Sequence, residues 1–521
     1  MSYYVIGIGG TGAKCIEALT HLCAAGLMPG GDLFAVFVDP DKANGSLGRA
    51  QITLQHYANC QKLQTGVKNH DVAQDGFDLF KTNLVIARPD VWSPFGNDPQ
   101  PKLDEFFRYN ALKKSNEAAA HLFDVLYSPD EKTTSLNEGF RGHPSIGASI
   151  MATTLQLGGD EPWKTFRDKL REDVKNGAGA KIILAGSIFG GTGASGIPTI
   201  GRLIRDELKT IGQKNARLGS VLVLPYFSFS PVPGAALRAD AENFLLNTQA
   251  ALRYYYQQAA LSYGGEGGQA DIYDAVYLLG DEVLSPMREP SIGGRTQKNE
   301  PHFIELYGAL ACVDFFLRDN LSEYQMIARN QADRITWADL PYAPGSELLR
   351  HRVDQLTRFA FAYLTAYHPM LESISARGMG YRAPWYVDLL ERERVDLSKA
   401  LREEFAHVKE YCESFLRWLA NIHTSAKEMN VELSFYNAFS HTAHSEEGKE
   451  ETELLPAAGF LSERFDTLTL PDRGGDPHAL SRLWERMCTA RVNDPHAAGV
   501  GKFVHALYRE SAEWTPSEAA E

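Results

Sequence analysis

Apolar residues in the first 300 positions fall into short dense runs, each followed by glycine or by a longer amphipathic stretch. "YYVIGIGG" (residues 3–10) is a run of the kind that forms a short buried strand. "TGAKCIEALTHLCAAG" follows, with Ala13, Ile16, Leu19 and Leu22 at helical spacing and Gly26 placed as a stop. "DLFAVFVDPD" is a second strand, so residues 3–39 read as a β-α-β unit with parallel strands. Residues 45–135 are polar and aromatic and predict a helical, loop-rich excursion whose clearest helix is "LDEFFRYNALKKSNEAAAHLFDVL". "GFRGHPSIGASIMATTLQL" is a turn into a helix, and "AKIILAGSIFGGTGASGIPTIGRLIRDEL" is a strand, a glycine loop and a helix. "GSVLVLPYFSFSP" and "YDAVYLLGDE" supply two more buried strands, with a long helix, "GAALRADAENFLLNTQAALRYYYQQA", between them. This alternation predicts an α/β fold with a Rossmann-like, doubly wound parallel sheet.

The pattern changes near residue 300. "PHFIELYGALACVDFFLRD" is apolar on most faces and reads as a buried central helix. "RITWADLP" reads as a short strand, residues 346–430 as helical, 441–453 as a solvated acidic loop, and the last residues as a frayed tail. The expected division is a nucleotide-binding domain over 1–300, a central helix over 301–320, and a largely helical α+β C-terminal domain with a polar tail over 321–521.

Composition narrows the function classes. At 521 residues the chain can bury a sizeable core, and its net charge of −14 argues against general nucleic-acid binding. The six cysteines (Cys15, Cys23, Cys60, Cys312, Cys412, Cys488) form no C-x-x-C pair, which points away from zinc and disulfides and toward buried thiols in a reducing cytoplasm. No signal-peptide pattern opens the chain, and no apolar stretch has the length of a membrane span.

Two glycine loops carry the chemistry. "GIGGTG" fits G-x-G-x-x-G through Gly7, Gly9 and Gly12, between a strand and a helix, with Asp39 at the end of the next strand where a ribose-binding acid is expected. Alone it suggests NAD. "FGGTGASG", after a later strand, adds a second helix start, which a triphosphate can use and a dinucleotide does not need. Neither loop contains G-K-[ST], so charge on the phosphates falls to backbone amides, helix ends and magnesium.

"GIGGTGAKCIEAL" and "FGGTGASGIPTIGRL" resemble the first and the signature phosphate loops of the tubulin/FtsZ superfamily, closest to its divergent bacterial tubulin-like members. Between them "FVDPDKAN" is similar to the loop after that family's second strand, and "RGHPSIGAS" to its Gly-x-x-Pro-x-x-Gly loop; "LPYFSFSP" and "LLGDE" follow in order, so the likeness spans residues 3 to about 320. The resemblance implies GTP/GDP and Mg2+ as ligands, with hydrolysis coupled to head-to-tail self-assembly. Gly9, Gly10, Thr11 and Gly12 would cradle the α- and β-phosphates. Gly190, Gly191, Thr192, Gly193, Ala194, Ser195 and Gly196 would wrap the β- and γ-phosphates, and Gly142, Pro144 and Gly147 would shape the loop over the latter. Asp39 would arrange water around magnesium, with no residue assigned as a direct metal ligand. Asp281 and Glu282 would reach ribose or base, and Phe303 would pack on guanine. Some such proteins belong to bacterial conflict systems, which adds other proteins of the same system as partners.

The family's acidic loop after the central helix is not visible as an Asn-x-Asp-x-x-Asp/Glu run; Asp319, Glu323, Asp333 and Asp339 lie in that region, and Asp333 and Asp339 are the catalytic candidates. Two alternatives stay open: an NAD(P)-dependent oxidoreductase built on Gly7, Gly9, Gly12 and Asp39, and a nucleotide-binding scaffold without hydrolysis. His143 and His302 read as structural, "RYYYQQ" as packing, and His441 with His444 lacks a third ligand.

Overall fold

The computed structural model describes residues 1–64, 79–96, 102–136, 139–140, 142–212, 215–229, 245–255, 272–281, 284–287, 299–319, 321, 335–377, 381–429, 431, 442–444, 450–452, 465, 468, 478–492 and 497–512. Contacts group the chain into two units. The first holds Met1–Ile16, Leu33–Ala50 and Val85–Glu300, and the second holds Glu17–Asp32, Gln51–Leu84 and Pro301–Glu521.

The first unit is built on a six-stranded, all-parallel sheet. Its strands are β1 (Ser2–Ile8), β2 (Asp32–Val38), β3 (Asn83–Trp92), β4 (Ala180–Ser187), β5 (Ala216–Val223) and, after a short β6 (Phe227–Phe229), β7 (Ala275–Leu279). They lie in the order β3-β2-β1-β4-β5-β7. Progression through the sheet therefore reverses between β1 and β4, and a crevice opens beyond the carboxyl ends of strands at such a point. Register keeps those ends level: Ile8 faces Val38 on one side and Gly186 on the other.

β1 and β4 are buried along their whole length, as a parallel sheet requires. One apolar layer joins Tyr4, Ile6 and Ile8 with Phe34, Val36, Ile182 and Leu184, and extends into residues of three helices, Pro144–Thr154, Trp163–Lys175 and Gly191–Ile211. The β-α-β start is as predicted, with α1 (Gly9–Ala24) between β1 and β2, and Gly26 leaves the helix at φ +73°.

The excursion between residues 45 and 135 differs from the sequence expectation. It contains α2 (Gly45–Gln61) and then strand β3, whose internal Pro89 and Asp90 hide the apolar alternation; an edge strand tolerates that proline. The helix expected over 103–126 is three helices, Leu103–Phe106, Tyr109–Ser115 and Glu117–Leu126. Arg108 at φ +50° separates the first two, and Asn116 caps the third by accepting from the Ala119 amide. β7 is the other sheet edge rather than a buried strand, with Val276 and Leu278 more than half exposed. Of the long helix expected over 234–259, residues 245–255 are helical and the others lie outside the described residues.

The second unit contains the apolar helix Phe303–Leu317, buried over nearly every position as its sequence predicted, with Ser346–Ala362, Glu404–Glu428 and Val500–Glu510. Arg358 and Gln355 bind the chain after and within the last of these, donating to the carbonyls of Ser511 and Tyr508, each at 3.0 Å. "RITWADLP" is not a strand: Ile335 makes an isolated bridge with Val431, and Trp337–Asp339 is a 3-10 turn. The expected loop at 441–453 carries a hairpin of Thr442–His444 and Glu450–Thr452. The tail from 513 onward lies outside the described residues. All six cysteines are free and five are buried, so they behave as small apolar side chains. No helix among the described residues is long and apolar enough to cross a membrane.

Candidate functional site

Both glycine loops open at the carboxyl edge of the sheet, from the two neighbouring strands where the order reverses. α1 begins at Gly9, directly after β1, and the helix Gly191–Ile211 begins four residues after β4. Gly9 has φ +72°, a conformation that suits glycine, and a Cβ built on it would stand 3.3 Å from the Thr192 Cβ. The first and second loops therefore touch. A third joins them, since a Cβ on Gly191 would meet the Phe140 Cβ at 2.8 Å and the His143 amide at 3.1 Å.

The helix ends differ in how their first amides are satisfied. α2 is capped by Asn44, whose Oδ1 accepts from the amides of Ser46 and Leu47 at 2.9 and 3.2 Å. The Gly191 helix has Gly190 at its cap position, and the Pro144 helix has His143; neither makes a side-chain capping bond. These helix starts therefore lack a side-chain cap of their own, and a helix start favours an anion. Ser195 turns its hydroxyl inward to the Gly191 carbonyl at 2.6 Å, so its contribution to the loop is its backbone. The half-buried Thr192 makes no side-chain hydrogen bond among the described residues.

The loop at 142–147 is held from two sides. Asn247 donates to the Gly142 carbonyl at 3.0 Å, and His143 Nδ1 lies 3.2 Å from Glu131. Tyr255, from "RYYYQQ", donates to the Ala194 carbonyl at 3.0 Å and ties residues 245–255 to the second glycine loop. Asn247→Ala is expected to loosen the 142–147 loop and weaken anion binding about threefold to tenfold. The melting temperature without ligand should move by no more than a few degrees. Titration calorimetry paired with thermal melting checks this.

Asp39 and Asp41 sit at the end of β2, both almost fully buried. The Asp41 amide donates to Asp39 Oδ1 at 3.0 Å, and Asn44 stands next to Gly10, 3.5 Å from where a Cβ would be. Burial raises the Asp39 carboxyl to about 8, opposed by the Asp41 amide and assisted by the nearby Asp41 charge. At neutral pH it is mostly protonated, so it adds no negative charge against an incoming anion. Among the described residues no cluster of three or more His, Cys, Asp or Glu could hold a metal alone. Of the two carboxyl groups here, Asp41 is the one that could meet a phosphate-borne magnesium ion, which usually takes one or two protein carboxylates.

The remaining sequence candidates lie on other segments of the chain. Asp281 lies two residues past β7 and is half-buried, while Glu282 lies outside the described residues. Phe303 belongs to the second unit, fully buried with its ring edge-on to Tyr307, and its amide donates to Ser425. His302 caps that helix, accepting from the Ile304 amide at 3.2 Å. Asp333 lies outside the described residues; Asp339, also in the second unit, accepts from the Thr336 amide and hydroxyl at 2.9 and 2.6 Å. Sequence reading missed Asn44, Asp41, Asn247 and Glu131. An Asn just before "GSL" was a legible cap signal, whereas Asn247 has none, since its partner is 105 residues away.

No protein-family model, curated protein or solved structure matches this chain.

Proposed function

We propose that the chain binds GTP with magnesium between the two glycine loops and hydrolyses it, with hydrolysis coupled to head-to-tail assembly of copies into filaments. The observation that carries the reading is the contact of Gly9 with Thr192, which joins the starts of two helices at the crevice where the strand order reverses. Backbone amides from both starts can then surround several phosphate oxygens at once, which suits a triphosphate better than the single pyrophosphate of a dinucleotide. The likeness of four loops, in order, to tubulin/FtsZ-type proteins supports guanine as the base and a heterologous interface, which gives open filaments when its rotation does not close.

In hydrolysis the loop amides would stabilise charge developing on the γ-phosphate, and magnesium, when bound, neutralises the phosphate oxygens. Asp333 and Asp339 remain the proposed acids that orient water. Phosphate release that rises in specific activity with protein concentration supports assembly-dependent hydrolysis; no release at any concentration supports the scaffold alternative.

The dinucleotide alternative uses Gly7, Gly9, Gly12 and Asp39 and is favoured by the strand order; the second uncapped helix start counts against it. Melting the protein with GTP, ATP, NAD and NADP separates the readings, because a specific ligand raises the transition by about 2.7 kcal/mol at one hundred times its Kd. Stabilisation by GTP and not by NAD is expected. The reverse order overturns the reading.

A further inference from the structure

Lys14 is a buried lysine on the helix that starts at the first glycine loop, although neither loop itself carries a lysine. It is 4% exposed and lies on α1, four residues past Gly10 and three past Thr11. Helical geometry places those three residues on one face, and the Cα–Cβ bond tilts toward the helix start. The side chain therefore leans toward the end where the loop amides are.

Its ammonium donates to the Tyr226 hydroxyl at 3.0 Å and stands 5.4 Å from the centre of that ring. Tyr226 lies three residues past β5, while α1 leaves β1, and β4 runs between those two strands. The Lys14–Tyr226 contact thus spans the end of β4, where the second glycine loop begins. Phe189 of that loop packs edge-on against Tyr226 and Phe227, with ring centres at 6.1 and 5.4 Å. This aromatic wall fixes the tyrosine, and the tyrosine fixes the ammonium.

A cation on the helix that starts at the first glycine loop, tied across the strand end from which the second loop begins, is an arrangement that a bound polyanion stabilises. We infer that Lys14, held by Tyr226, supplies the side-chain cation that neutralises the ligand's polyphosphate, the part a lysine inside the loop plays in other phosphate-binding turns. The inference rests on the nucleotide reading above and adds to it a residue that selects ligands by phosphate number.

The test uses the full-length chain, with Kd measured by calorimetry for GTP, GMP and guanosine. Wild-type failure to bind GTP would sink the nucleotide reading itself, independently of Lys14. Given binding, Lys14→Gln should weaken GTP roughly 10- to 100-fold, GMP less, and guanosine hardly at all. Lys14→Arg, which keeps the charge, should retain most of the preference for triphosphate. Tyr226→Phe, which removes one hydrogen-bond partner of the ammonium and keeps its charge, should fall between wild type and Lys14→Gln. The ligand-free melting temperature of Lys14→Gln should not drop. An equal loss for all three ligands, no loss for GTP, or a Lys14→Gln chain that is unstable or unfolded without ligand would each overturn the inference, because the ammonium would then serve the fold.

Discussion

Gly193→Ala is expected to destabilise the protein by about 3 kcal/mol and to weaken triphosphate binding by at least about 100-fold. The reason is local and steric. A Cβ at this position would lie 2.1 Å from the carbonyl oxygen of Ser187, the last residue of β4, and 3.0 Å from two further Ser187 backbone atoms. No side-chain rotation relieves a clash with backbone, so the start of the Gly191 helix must move away from the strand. That movement withdraws the amides facing the crevice and parts Thr192 from Gly9. Gly48→Ala is the control: it lies in α2 with nothing within 4 Å of the added methyl, so it should be neutral or stabilising by up to about 1 kcal/mol. Denaturant unfolding and calorimetry on both variants check the pair. A Gly193→Ala protein as stable as wild type would remove the close packing on which the site is built.

The second large effect is a pH dependence centred on Asp39. Its carboxyl stands at about 8 in the folded chain, against about 3.9 for an unfolded aspartate. Between those values the folded state holds a proton that the unfolded state has released, so stability falls as pH rises from about 4 to about 8 and levels off above that. Asp39→Asn does not titrate and retains an oxygen to accept from the Asp41 amide. The variant should therefore match wild type near pH 4 and become progressively more stable than it, by on the order of 5 kcal/mol at pH 9. Magnesium-free triphosphate binding should follow the same sense, with wild-type affinity dropping above pH 8 and the variant's staying level, because an ionised Asp39 repels the phosphates. A stability difference that is constant from pH 4 to 9 would show that Asp39 is ionised throughout.

The parts of the site written in consecutive residues were legible before the structure. Gly7 through Gly12 and Gly190 through Gly196 are local patterns, and the strand-loop-helix context around each follows from adjacent apolar runs. The adjacency of the loops was not legible, because it depends on β1 pairing with β4 across more than 170 residues. β3 was missed because Pro89 and Asp90 interrupt its apolar alternation, an irregularity that an edge strand accommodates. The exposure of Val276 and Leu278 was missed for a related reason, since an apolar run does not say whether its strand lies inside the sheet or at its margin. Asp39 was singled out by position, but its protonation is set by burial, which only the folded chain determines. Lys14 lies within "GIGGTGAKC", but its setting depends on Tyr226, 212 residues away, and is not legible from the local pattern.

A structure of the full chain with a slowly hydrolysed GTP analogue and magnesium tests the central claim most directly. The expected result places the β- and γ-phosphates between the starts of α1 and the Gly191 helix, with the amides of Gly10 to Gly12 and Gly191 to Gly193 within hydrogen-bonding distance of their oxygens. Phosphates bound to one loop alone, or held away from the edge where β1 and β4 end, would contradict it.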